Sequence, residues 1–215
     1  MYKHVIFDFD GTLADSRLLF IRLYNELAQA KNLPQLNPSD WEKLKGLSIL
    51  DRCKRLGVPL YKIPFWAGEF LKLYRQNLEQ LQLYEGVREM LSNIHQAGIK
   101  SAIISSNSVE NISIFLAHQG IRSIDQIISS KNLFGKDKSI KSYLKQHQLF
   151  PHEVLYVGDE LRDIEACHKL NVAIAWVEWG YDPWEAVEAA KPQYRISTLS
   201  ELQRLLVPGT EHPLI

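Results

Sequence analysis

Four short apolar runs punctuate the chain: Val5-Ile6-Phe7, Ser101-Ala102-Ile103-Ile104, Val154-Leu155-Tyr156-Val157 and Ala173-Ile174-Ala175-Trp176-Val177. Their β-branched and aromatic content predicts buried strands. Gln126-Ile127-Ile128-Ser129 and Tyr194-Arg195-Ile196 are weaker strand candidates. Helical patterns lie between them. Val87, Met90, Leu91 and Ile94 recur at i, i+3, i+4 and i+7, and Gly98 supplies the stop. Ser108 is placed to cap a helix carrying Ile112, Phe115 and Leu116, and Asp137 to cap another through Ile140, Tyr143 and Leu144. Strands alternating with helices of this size predict an α/β fold, a parallel sheet with helices on both faces.

One stretch breaks the alternation. From Asp15 to Leu83 only helical patterns and turns occur, with Gly46 and Gly57-Val58-Pro59 as punctuation. Helices are predicted after Asp15-Ser16 and over Trp41 to Leu44, Ile49 to Leu56 and Pro64 to Leu81. The expected division is a core domain made of residues 1–14 and 84–215, interrupted by a helical cap domain over residues 15–83. So long a crossover would overload a single strand connection if it merely continued the layer.

Composition narrows the partners. Apolar residues make up 46% of the chain and charged residues 23%, as in an ordinary globular protein. The 25 basic and 25 acidic residues cancel, which argues against a nucleic-acid surface. No apolar run reaches the length of a membrane span. Cys53 and Cys167 lie in helical patterns without Cys-x-x-Cys spacing, as free thiols of a reducing compartment would. The first strand begins almost at Met1, so no signal peptide is expected and a cytoplasmic location is. Asn111-Ile112-Ser113 has glycosylation spacing, but it falls inside a helix of such a protein and is discounted.

The first strand runs into Asp8-Phe9-Asp10-Gly11-Thr12. Two carboxylates at i and i+2 point the same way where strand geometry persists, and they repel unless a cation or a proton is shared. Three further loops carry suitable partners: Ser105-Ser106-Asn107, Gly135-Lys136-Asp137-Lys138 and Gly158-Asp159-Glu160-Leu161-Arg162-Asp163. Parallel strands share one carboxyl end, so all four loops can converge at one sheet edge.

Asp8-x-Asp10-Gly11-Thr12, Ser105, Lys136 and Gly158-Asp159-(x)3-Asp163, in this order, resemble the haloacid dehalogenase superfamily. The narrower likeness is to its phosphoglycolate-phosphatase-like branch with a small helical cap. The resemblance implies a three-layer Rossmann-like parallel-sheet core and a Mg²⁺-dependent phosphatase acting on a small phosphorylated metabolite, as a monomer or homodimer. It implies that Asp8 is the nucleophile, giving an aspartyl-phosphate. Asp10 would be the general acid and then the base, with its pKa raised by anionic neighbours. Asp8, the Asp10 carbonyl and Asp159 would hold the metal. Ser105, Ser106, Asn107, Gly11 and Thr12 would bind phosphoryl oxygens, and Lys136 would supply positive charge. Asp163 would orient metal waters or Lys136.

Several residue choices stay open at this stage: Ser105 against Ser106, Lys136 against Lys138, and Asp163 against Glu160. The family usually follows its lysine with Pro, where this chain has Asp137. Two other functions stand beside the phosphatase. A sugar phosphomutase would usually carry an Arg and a His where this chain has Ile49 and Phe20. A non-catalytic binding protein would have lost the acids that are intact here. Asp10 separates the chain from the metal-free dehalogenases, which lack that aspartate. Specificity is expected in the cap, with the Gly46-Leu47-Ser48 turn and Arg17, Lys43, Lys45, Arg52 and Arg55 as places to look. The aromatic residues Trp179, Tyr181 and Trp184 are expected against the C-terminal helix or another subunit.

Overall fold

The computed structural model describes residues 2–130 and 135–207, apart from the Ile49 side chain. Among these residues the strands are β1 (His4–Phe7), β2 (Ala14–Asp15), β3 (Gln82–Leu83), β4 (Lys100–Ser105), β5 (Gln126–Ser129), β6 (Val154–Gly158), β7 (Ala173–Val177) and β8 (Tyr194–Ile196). Six of them form one parallel sheet in the order β5-β4-β1-β6-β7-β8. The two weak strand candidates are therefore the outermost members of the sheet. From β1 the chain steps outward through β4 and β5, then returns to β1's other side for β6, β7 and β8. That reversal opens a crevice at the carboxyl end of β1, where open α/β sheets place ligands.

The apolar runs are continuous because the sheet is covered on both faces. Val5, Phe7, Phe9, Ile103, Leu155 and Val157 pack into one cluster with α5 (Val87–Gln96), α6 (Val109–His118) and α10 (Leu199–Leu206). Ile6, Ile104, Tyr156 and Trp176 pack into the other with α7 (Lys136–Gln146) and α8 (Leu161–His168). The two-residue alternation then assigns the residues beyond β1. Phe9 follows Phe7 into the first cluster, while Asp8 follows Ile6 toward α7 and α8. Phe7 is level with Ile103 and Val157, and the Asp8 amide donates to the Val157 carbonyl at 2.8 Å.

Between β1 and β4 the chain forms α1 (Arg17–Ala30), α2 (Pro38–Trp41), α3 (Ile49–Arg55) and α4 (Ile63–Gln76). This helical insertion is tied to the sheet by an unpredicted feature: β2 pairs antiparallel with β3, Ala14 opposite Leu83 and Asp15 opposite Gln82. Two residues per strand are too few to register as a pattern. The insertion shares its apolar core with the sheet at Leu19, Leu23, Tyr74, Leu78 and Leu81, and has a second one around Ile21, Tyr24, Leu36, Trp41 and Leu44.

Three local expectations are corrected. Asp137 is not the cap of α7; Gly135 holds that position, and Asp137 lies in the first turn, where a carboxylate suits the helix's positive end. The helix starts earlier, and its first residue, Lys136, donates to Asp8. The helix predicted over Trp41 to Leu44 lies one turn earlier, at Pro38–Trp41, where Asn37 and Asp40 form a capping box. Tyr181 packs on the insertion rather than on the C-terminal helix. It is buried against Trp41 of the insertion, and Trp179 lies against Tyr84 with its indole N–H donating to the Thr12 carbonyl at 3.1 Å.

Candidate active site

At the carboxyl end of β1, Asp8 is 1% exposed. Its Oδ1 accepts from the Phe9 amide at 2.7 Å, and its Oδ2 accepts from the Lys136 ammonium. Lys136, itself 3% exposed, also donates to Asp163 at the start of α8. Burial works against the lysine's charge, but the facing carboxylates of Asp163 and Asp8 outweigh it and hold its pKa above the usual value. Burial also pushes Asp163 up, to about 6, against the pull of Lys136. Gly158 makes room for this arrangement, since a Cβ there would stand 2.6 Å from Asp163 Oδ2. Lys138 is exposed, so of the two lysines it is Lys136 that meets the carboxylates.

Asp10 has different company. Tyr74 of α4 donates to Oδ1 at 2.6 Å, and the Asn107 side-chain amide donates to Oδ2 at 3.0 Å. Desolvation raises the pKa of Asp10; hydrogen bonds from Tyr74, Ser16 and Asn107 oppose that shift, and the Asp8 charge adds to it. Asn107 is held in turn by Asn111, whose amide donates to Asn107 Oδ1 and to the Leu71 carbonyl, both at 3.0 Å. Asn111, part of the sequon discounted above, is thus buried and links the insertion to the loop after β4.

Asp159 lies under the turn after β1. Its Oδ1 accepts from the Thr12 hydroxyl and its Oδ2 from the Tyr181 amide, both at 2.7 Å. Gly11, at φ +81°, and Gly180 leave space for it; a Cβ on either would come within 2.3 Å of its side chain. Burial, with Glu160, Asp8 and Asp163 nearby, drives the Asp159 pKa well above the ordinary carboxylate range. Glu160 is also buried, but Arg162 and Arg52 hold it down at about 2. Arg162 Nε lies 2.7 Å from Glu160 Oε2, and Arg52 of α3 spans from Glu160 Oε1, at 3.2 Å, to Asp182.

Among the described residues, carboxylate oxygens of Asp8, Glu160 and Asp163 lie within 4.8 Å of one another. The expected set of Asp8, the Asp10 carbonyl and Asp159 shares Asp8 with this group; the Asp159 carboxylate is engaged by Thr12 and Tyr181, and the Asp10 side chain by Tyr74 and Asn107. The acids nevertheless fit a small divalent cation. Asp163 has Lys136 and Glu160 has two arginines, while among the described residues Asp159 has no ion-pair partner. Buried anionic oxygens with spare lone pairs are what Mg²⁺ takes.

The phosphate-binding candidates gather at the same edge. Ser105 is buried, with its Oγ accepting from the Asn107 amide at 3.2 Å, whereas Ser106 lines a cavity beneath the insertion. Tyr74, Tyr181, Ser16, Asn111 and Asp182 were not anticipated. Ser16 bonds the Tyr181 hydroxyl at 2.5 Å rather than capping α1. None belongs to a short motif, and each is brought in by packing of the insertion. Of the basic residues proposed in the insertion, Arg52 reaches the site; Lys43 and Lys45 pair with Asp40 and Glu42 on the surface, and Arg17 and Arg55 are exposed. The Gly46 turn also docks on this edge, its amide donating to Asp182 at 3.3 Å.

A family model described as haloacid dehalogenase-like hydrolase matches residues 5–177. A phosphoglycolate phosphatase of Synechococcus elongatus is 30% identical over 203 residues, covering 92% of this chain and 94% of that protein. An N-acetylmuramic acid 6-phosphate phosphatase of Pseudomonas aeruginosa is 25% identical over 190 residues, 83% of each chain. A solved haloacid dehalogenase-like hydrolase from Streptococcus pneumoniae superimposes with a TM-score of 0.81 over 95% of this chain and 98% of that one. At 16% identity it speaks for the fold alone.

The buried ion pairs make one stability prediction. Lys136→Met strands Asp8 and Asp163 in the interior and should cost about 3–5 kcal/mol in urea unfolding with chelator present. Adding Asp163→Asn to Lys136→Met should cost less than the two separate losses combined. An additive double mutant would show that the lysine does not serve these carboxylates.

Proposed function

The chain belongs to the haloacid dehalogenase-like hydrolase family, and on that premise we propose that it is a Mg²⁺-dependent phosphatase that cleaves a small phosphomonoester through an aspartyl-phosphate on Asp8. The names of its curated relatives support the phosphatase reading. The observation that carries the mechanism is the unequal treatment of the two aspartates. Asp8 sits against a buried ammonium, while Asp10 is desolvated and ringed by neutral donors. The first is paired with a cation and the second, with its pKa raised, is suited to exchange a proton.

Asp8 and Asp159, with the Asp10 carbonyl, would hold Mg²⁺, and Glu160 and Asp163 would add to the negative field. When bound, the cation would offset the mutual repulsion of Asp8 and the phosphoryl group. A carboxylate oxygen of Asp8 attacks phosphorus as the bond to the leaving oxygen breaks, and Asp10 delivers its proton to that oxygen. Asp10, now ionised, takes a proton from water as the water attacks the phosphoryl group. The Asp8–phosphate bond breaks, and inorganic phosphate and the starting carboxylate result. Lys136 faces the charge that spreads over the phosphoryl oxygens, and Ser105 with the loop amides near Ser106, Asn107, Gly11 and Thr12 holds them. Asp163 positions Lys136. Residues 15–83 act as a cap domain on a core of residues 1–14 and 84–215, excluding water and supplying Tyr74.

Asp8→Asn should reduce turnover of any accepted ester below about one-thousandth of wild type; appreciable residual activity would sink the nucleophile assignment. Chelation should abolish activity and Mg²⁺ restore it. Asp159→Asn should raise the Mg²⁺ concentration for half-maximal rate by more than about tenfold. Activity indifferent to chelator, or unchanged metal dependence in Asp159→Asn, would remove the metal from the mechanism. Tyr74→Phe removes one hydrogen bond to Asp10 while keeping the ring. It should lower kcat by about tenfold with little change in KM, as for a charged-group hydrogen bond; an unchanged kcat would detach Tyr74 from the acid.

A further inference from the structure

Beneath the helical insertion lies a cavity of about 280 Å³. That is near the lower end of the roughly 300–1,000 Å³ usual for small-molecule sites. Asp10, Ser106 and Asn107 form its floor, so whatever leaves phosphorus at Asp8 and Asp10 leaves into this space. Its walls are apolar, and one part of them is a run of rings, with Phe20 between Trp41 and Phe70 at centroid separations of 5.6 and 5.1 Å. Trp66 and Tyr24 complete them among aliphatic side chains.

Two observations describe the occupant. The first is charge. Lys31, Arg52 and Arg162 line the cavity, and each already faces a carboxylate: Glu69 at 2.6 Å, Glu160 and Asp182, and Glu160. Among the described lining residues no cation lacks a carboxylate partner, so a second anion on the substrate would have to displace one. The second is Trp41. The residue is 4% exposed and lines the cavity, yet its indole N–H has no acceptor among the described residues. A buried donor left unsatisfied costs about 1–3 kcal/mol, a penalty that an acceptor on the occupant would remove.

Resting on the phosphatase reading above, we propose that the substrate is a phosphomonoester with an uncharged, ring-bearing leaving group. An apolar ring face packs against the Phe20–Trp41–Phe70 wall, and an oxygen acceptor on the group takes the Trp41 N–H. A sugar ring and a substituted aryl ring share this chemistry; a two-carbon acid phosphate does not.

The test compares kcat/KM, in Mg²⁺, for a hexopyranose phosphate, 4-acetylphenyl phosphate, phenyl phosphate and 2-phosphoglycolate. At least one acceptor-bearing ring ester should exceed 2-phosphoglycolate by tenfold or more, and the two such esters distinguish a sugar from an aryl source. Trp41→Phe keeps a ring but removes the donor. It should lower kcat/KM for the preferred acceptor-bearing ester about three- to tenfold more than for phenyl phosphate. Preference for 2-phosphoglycolate, or an equal loss on all esters in Trp41→Phe, overturns the proposal while leaving the phosphatase intact. If wild type turns over none of the four, calorimetry with the Asp8→Asn protein separates the cases. Binding of a ring ester overturns the phosphatase reading alone, and binding of none overturns both.

Discussion

The buried ammonium of Lys136, held between Asp8 and Asp163, is the contact around which the rest is arranged. Bringing several carboxylates together in a low-dielectric interior is unfavourable unless opposite charge is supplied at the same place. The fold supplies it from three directions: Lys136 from the first residue of α7, Arg162 from the start of α8, and Arg52 from the insertion. The loop after β6 can carry three acids in five positions because each of two has its own cation. The third, Asp159, is left with hydroxyl and amide donors only.

The same electrostatics accounts for the division between the two aspartates of the first motif. They are two residues apart and share a strand parity, yet they end in different environments. Asp8 meets charge from the core side of the sheet, whereas Asp10 meets neutral donors, one of them on the insertion. The surroundings of the Asp10 carboxyl therefore depend on where α4 lies. Tyr74 and Asn111 make that dependence concrete, since Asn111 joins the Leu71 carbonyl of α4 to the Asn107 amide that touches Asp10.

Much of this was legible in the chain, for definable reasons. The central strands are covered on both faces, so Val5-Ile6-Phe7 and Val154-Leu155-Tyr156-Val157 stand out as unbroken apolar runs. Ser108 was legible as a cap because its role is local, and its side chain accepts the Asn111 amide. Motif acids and Lys136 follow strand ends or open helices, so the topology brings them to one edge. What escaped is tertiary. The β2–β3 ribbon has no periodicity to read, Tyr74 looks like any aromatic on a helix, and no local pattern sets Tyr181 against Trp41. The partners of Asp159 were equally hidden, for they depend on two glycines, Gly11 and Gly180, standing on either side of one carboxylate.

The short β2–β3 ribbon has a consequence for how such a molecule can diversify. It pins the two chain crossings side by side, Ala14 opposite Leu83, however many residues run between them. Helices within that span can be lengthened, repacked or exchanged while β1 keeps its register and Asp8 its partners. The aromatic lining of the cavity, with Phe20, Trp41, Trp66 and Phe70, belongs to the exchangeable part, and Asp8, Asp159, Glu160 and Asp163 belong to the fixed part. The cavity lining and the buried carboxylates thus lie mostly on separate stretches of one chain, tied together where Tyr74 reaches Asp10 and Arg52 reaches Glu160, so change within the insertion is constrained at those two contacts.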